Sequence, residues 1–140
     1  MQQNVQEAAE FVRARGFDGR FDAAFVLGTG LGTLVDEVSD AVSLAYAEIP
    51  HFPRSGVSGH AGKLVAGTLE GKRVLLFQGR AHYYETGDAG AMRLPVAFVK
   101  ELGIPVLVAT NAAGSVRASI RPGSLVAISD HLNLSGANPL

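Results

Sequence analysis

Apolar and polar positions along the chain change period from one segment to the next. Val5, Ala8, Ala9 and Val12 recur at helical spacing among polar residues, which predicts an amphipathic helix over residues 4–15. Asn4 and Glu7 have the spacing of a capping pair, and Gly16 marks the stop. Residues 23–27 are an apolar run too short for a helix and read as a buried strand. That run empties into Gly28-Thr29-Gly30-Leu31-Gly32, and residues 31–38 predict a short helix. Residues 46–60 are rich in Pro, Gly and Ser without a clear period, which predicts a long loop of the kind that often carries function. Residues 63–69 and 72–77 flank Glu70-Gly71 and predict a hairpin. Residues 89–102 predict a second long helix, with Pro95 bending it or marking its first turn and Gly103 ending it. Residues 104–110 form another buried-strand pattern, Arg121-Pro122-Gly123 a turn, and residues 125–129 a further strand. The tail, residues 130–140, reads as a polar loop.

This order of elements predicts an α/β domain with a mixed sheet. In such sheets ligands gather outside the carboxyl ends of the strands. Three predicted strand ends carry polar or glycine-rich sequence, at residues 28–32, 79–85 and 111–115. One site assembled from three loops is the inference.

Bulk properties narrow the class. The 140 residues suit one domain with a sizeable core. A formal net charge of -1 leaves no electrostatic footprint for nucleic acid or an anionic membrane. Gly, Arg or Asp interrupts every apolar run before it reaches membrane-spanning length. The opening Met1-Gln2-Gln3-Asn4 lacks the basic and apolar regions of a secretory signal. Cysteine is absent, which removes disulfides and thiolate metal sites and points to a cytoplasmic location. The four histidines do not have metal-ligand spacing, so no metal site is expected.

The densest chemistry lies in Gln78-Gly79-Arg80-Ala81-His82-Tyr83-Tyr84-Glu85, directly after an apolar run. Arg80 offers a permanent forked donor for phosphate or carboxylate, and His82 can donate to the same anion or exchange a proton. Taken locally, a solvated turn after a strand explains these residues better, and the rest of the chain is what favours a site. Gly28 to Gly32 can hold an anion on backbone amides, and Thr29 adds a hydroxyl inside that nest. The segment is neither a dinucleotide fingerprint, since Thr33 stands where the third glycine belongs, nor a Walker loop. His60 sits among glycines in the long loop, and Asn111 ends a strand where it can read a ligand or close a turn. Nucleophilic catalysis fits poorly, with no cysteine and no Gly-x-Ser-x-Gly elbow. A carboxylate pair for glycoside hydrolysis has no obvious member beyond Glu85. An anion held by Thr29, Arg80 and His82 can itself be the nucleophile, which is phosphorolysis.

Taken together the segments resemble the trimeric purine nucleoside phosphorylase family, over roughly residues 25–140. The residues that carry the resemblance are Val26-Leu27-Gly28-Thr29-Gly30-Leu31-Gly32, Ile49-Pro50-His51-Phe52-Pro53, Gly59-His60-Ala61-Gly62, the Gln78 to Glu85 stretch, Thr110-Asn111-Ala112-Ala113-Gly114, Asp130-His131-Leu132-Asn133-Leu134 and Asn138-Pro139-Leu140. The resemblance implies a mixed sheet partly closed into a barrel and flanked by helices. It implies conversion of a purine (deoxy)ribonucleoside and phosphate to free purine and (deoxy)ribose 1-phosphate, in purine salvage, by a homotrimer. Inorganic phosphate is the co-substrate and no cofactor is implied. Carried over by position, Thr29, His60, Arg80, His82 and the Ala112 amide would bind phosphate. Tyr84, Asn111 and Ala112 would line the nucleoside, and Glu85 would support the cluster by orienting Arg80 or His82. His82 and Glu85 are thus the catalytic candidates.

Two departures from the family pattern stand out. Thr29 replaces the usual serine and, with Gly114-Ser115-Val116-Arg117, is reminiscent of methylthioadenosine phosphorylases. The family chain also continues for about as many residues again, so these residues are expected to form the N-terminal portion of a single domain and to lack its base-reading half. A catalytically silent phosphate-binding or oligomerisation module is the alternative, and exposed apolar surface is expected in either case.

Overall fold

The computed structural model describes residues 1–53, 62–134 and 136–138. Helix α1 spans Gln2–Arg13, two residues earlier than the expected start. The Asn4–Glu7 capping pair is not used, because the Glu7 carboxylate accepts from Gln3 at 3.0 Å and meets His51 Nε2 at 2.7 Å. Strand β1 (Ala23–Leu27) leads into a 3-10 turn over Gly32–Glu37, tighter than the helix expected there. Strands β3 (Lys63–Leu69) and β4 (Lys72–Gln78) form the expected hairpin, with Leu69 opposite Lys72. Its turn residues Glu70 and Gly71 both take positive φ.

Strand β2 (Ser39–Ala45) has no counterpart in the hydrophobic pattern. It lies at a sheet edge, mostly exposed, and its register with β3 slips between Ser39 and Val42, where Asp40 has a φ of 52°. A bulged edge strand keeps no clean alternation. The predicted long loop starts with a 3-10 turn at Tyr46–Glu48, and most of its remainder lies outside the described residues. A single turn, α2 (Tyr83–Thr86), follows β4. Helix α3 covers Arg93–Glu101, later than expected, with Pro95 in its first turn, where a missing amide costs no helical bond. Strand β5 is confined to Leu107–Ala109.

The five strands lie in the order β2-β3-β4-β1-β5. β2, β3 and β4 are antiparallel neighbours, whereas β1 runs parallel to both β4 and β5. Alternation sends Leu64, Ala66, Leu75, Phe77, Ala24 and Val26 to one face, where α1 and α3 bring Val5, Ala8, Ala9, Val12, Phe98 and Val99. Val65, Val74, Leu76 and Leu27 face the other way and meet Leu34, Val35 and Val38 around the 3-10 turn.

Two expectations need correction. Residues 125–129 are not a strand in the structure. An apolar run becomes a strand only beside another, and the outer edge of β5 has no ladder partner among the described residues. For the same reason the described sheet is open, with β2 and β5 at its edges, rather than partly closed into a barrel. Among the described residues from Val116 onward, every large apolar side chain except Ile120 stands in solvent, with Leu125 95% and Leu134 91% exposed.

Candidate functional site

Because β4, β1 and β5 are parallel neighbours, their carboxyl ends leave the sheet on one side. That topology brings the three predicted loops together. Gly28 approaches the chain after β5 so closely that a Cβ there would lie 2.7 Å from the Thr110 carbonyl oxygen and 2.9 Å from Asn111 Cα. The Gly28 amide donates to Thr110 Oγ1 at 2.8 Å. Arg80 reaches across from the end of β4 and donates through Nη1 to the Thr110 carbonyl. Gln78 Nε2 adds a bond to the Gly32 carbonyl at 3.0 Å, tying β4 to the far end of the glycine-rich turn.

The turn that carries Arg80 is fixed from beneath. Gly79 has a φ of 106°, open to glycine and strained for other residues, and its carbonyl accepts from the Tyr46 hydroxyl at 2.8 Å. Tyr46 is 4% exposed and packs against Phe52 and Phe77 at centroid separations of 5.5 and 6.4 Å. Burial pushes its phenol far above the ordinary tyrosine range, so the hydroxyl remains a donor.

Beyond Arg80, the His82 amide donates to Glu85 Oε1 at 2.8 Å, closing the first turn of α2. Glu85 therefore orients the His82 backbone. The His82 and Tyr84 rings stack at 4.8 Å, with 16° between their planes. Tyr84 is 74% exposed, so one flank of this stack is open to a ligand. Thr29, Asn111 and Ala112 are exposed at the same sheet edge, and Arg80 and His82 are half-buried. His60 lies outside the described residues. His51 is engaged by Glu7, whose carboxyl is held below its ordinary range chiefly by that bond. His131 is exposed in the tail, where its amide donates to Asp130 Oδ1 at 2.8 Å.

A groove of about 520 Å³, lined among others by Met1, His51, Asp88 and Arg93, touches this region through Ala81 and Glu85. It contains none of Thr29, Arg80, His82, Asn111 or Ala112. The groove and the predicted residues thus mark different places, and the strand topology and hydrogen bonds single out the second as the candidate site. The sequence pattern assigns no role to Thr110 or Tyr46. The signal for Thr110 was present, a hydroxyl at a strand end beside Asn111. Nothing local marks Tyr46 as a buried donor to a carbonyl 33 residues away.

The arrangement sets a guanidinium, a hydroxyl in a glycine-rich turn, a histidine and a tyrosine at one edge of a sheet, groups that can bind an anion. Known proteins similar to this chain are nucleoside phosphorylases. The chain is 46% identical over 136 residues to "Purine nucleoside phosphorylase 1" of Geobacillus stearothermophilus, covering 97% of this chain and 49% of that protein. It is 44% identical to "Purine nucleoside phosphorylase 1" of Bacillus subtilis, over 100% of this chain and 51% of that protein. A purine nucleoside phosphorylase solved in complex with ribose-1-phosphate superposes with a TM-score of 0.76 at 37% identity, over 85% of this chain and 43% of the other. The chain thus spans about half the length of the relatives it matches. A family model described as the phosphorylase superfamily matches residues 22–140. With sequence, sheet and strand-end chemistry in agreement, the chain belongs to the phosphorylase superfamily.

Proposed function

We propose that this chain carries the phosphate-holding part of a purine nucleoside phosphorylase. The observation that carries the reading is the meeting of three parallel strand ends, with Arg80 anchored on Thr110 beside the Gly28-Thr29 turn. The guanidinium's remaining donors, the Thr29 hydroxyl, the Ala112 amide and His82 hold phosphate, with His60 contributing from its loop. Tyr84, Asn111 and Ala112 line the nucleoside. Phosphate oxygen attacks the anomeric carbon, the glycosidic C–N bond breaks, and its electron pair leaves with the purine, which takes up a proton. The anion beneath the sugar stabilises the cation-like transition state, and fixed donors provide proximity. Glu85 holds the turn that presents His82. Inorganic phosphate is the co-substrate, with no cofactor or metal. We further propose a cytoplasmic homotrimer acting in purine salvage, with residues 1–140 belonging to one domain.

The chain's span of about half its relatives supports a second reading, a phosphate-binding module that does not turn over alone. One pair of assays separates them. Hypoxanthine release from inosine, with and without phosphate, reports catalysis, and calorimetric titration with inorganic phosphate reports binding. Phosphate-dependent release supports the enzyme, and binding without release supports the module. Absence of both sinks the assignment. Arg80→Ala is expected to weaken phosphate binding by about 10- to 100-fold, the worth of a charge-assisted contact. Preference for methylthioadenosine over inosine and guanosine would instead favour the activity that Thr29 hints at.

A further inference from the structure

One side chain ties the three loops together without a part in the reaction outlined above. The β1–β5 ladder continues past Ala109 to the Thr110 amide, which donates to the Val26 carbonyl at 3.0 Å. In that parallel register the next bond would run from the Gly28 amide to the Thr110 carbonyl. Instead the Gly28 amide donates to Thr110 Oγ1 at 2.8 Å, and that hydroxyl donates its own proton to the Val26 carbonyl at 2.9 Å. The Thr110 carbonyl, released from the ladder, accepts from Arg80.

We propose that Thr110 is a positioning residue whose hydroxyl substitutes for its own carbonyl in the sheet, so that the carbonyl can hold the Arg80 guanidinium beside the Gly28-Thr29 turn. The inference rests on the phosphate reading of Arg80 and Thr29. The position requires a group that accepts and donates at once, which a hydroxyl does and a methyl does not. With valine there, the Gly28 amide loses that acceptor and competes with Arg80 for the carbonyl that the ladder register assigns to it.

The test compares Thr110→Val with Thr110→Ser in the full chain, by calorimetric titration of inorganic phosphate and NMR of the Gly28 amide and the Arg80 side chain. Thr110→Val is expected to weaken phosphate binding about tenfold and shift the Arg80 resonance, while Thr110→Ser stays within about twofold of the wild type. A purely structural role would lower the melting temperature and leave the phosphate affinity of the folded valine variant unchanged. That result overturns the proposal. A folded serine variant that binds phosphate about tenfold more weakly than the wild type also overturns it, and that measurement decides the matter should the valine variant fail to fold. If the wild type binds no phosphate, the phosphate reading falls, and the Arg80 resonance decides the positioning claim. A shift with valine but not serine upholds it, and no shift with either overturns it.

Discussion

At the scale of single residues, the geometry of the candidate site depends on groups that never face a ligand. Tyr46 is buried among Phe52 and Phe77, and its hydroxyl supports the Gly79 carbonyl one residue before Arg80. Tyr46→Phe leaves that buried carbonyl without its donor and is expected to cost about 1–2 kcal/mol in urea unfolding. The pH dependence has a definite sign. The phenol's value is raised in the fold, so its contribution is complete below the unfolded value of 10.0 and is lost as pH climbs above it. Thermal melts should therefore show an alkaline loss of stability in the wild type that Tyr46→Phe lacks. An identical alkaline loss in both proteins would remove Tyr46 as its source. Gly28 is recognisable as a turn residue in sequence, but the reason for it is the approach of Thr110, 82 residues away and just past β5.

Among the elements, those that local chemistry dictates came through the sequence clearly. The period of Val5, Ala8, Ala9 and Val12 describes the buried stripe of α1, and the paired runs around Glu70-Gly71 describe the β3–β4 hairpin. That hairpin carries a correctable local defect. Glu70 has a φ of 48°, a conformation asparagine tolerates better, and Asn-Gly suits a turn with both central residues at positive φ. Glu70→Asn is expected to raise stability by about 0.5–1 kcal/mol, read as a higher urea midpoint at unchanged slope. A lowered midpoint would mean that the Glu70 side chain contributes something the turn geometry does not explain. Elements that neighbours dictate were less legible. β2 is mostly exposed, bulged and at an edge, so its pairing with β3 decides that it is a strand. Residues 125–129 have the composition of a strand but no neighbour to pair with among the described residues.

For the molecule as a whole, both faces of the central strands are buried, whereas residues beyond β5 expose Val116, Leu125, Val126, Ile128, Leu132 and Leu134. Exposed apolar side chains at this density favour association. The chain is expected to self-associate with rising concentration in light scattering coupled to size exclusion, and the double variant Leu125→Ser with Ile128→Ser should reduce this without lowering the melting temperature. A substantial fall in melting temperature would show that these side chains are buried in solution.

The sequence by itself determined the α/β class, the hairpin, the two long helices and the three polar strand ends, because periodicity and turn chemistry act over a few residues. It also presented Thr29, Arg80, His82, Glu85 and Asn111 as the chemistry on those ends. Only the tertiary structure decided that β1 runs between β4 and β5, parallel to both, which sets the three ends on one edge. It alone decided that Arg80 rests on the Thr110 carbonyl and that Tyr46 supports the turn beneath. Those contacts span 30 and 33 residues, and the choice among partners at such distances belongs to the packing of the sheet as a whole.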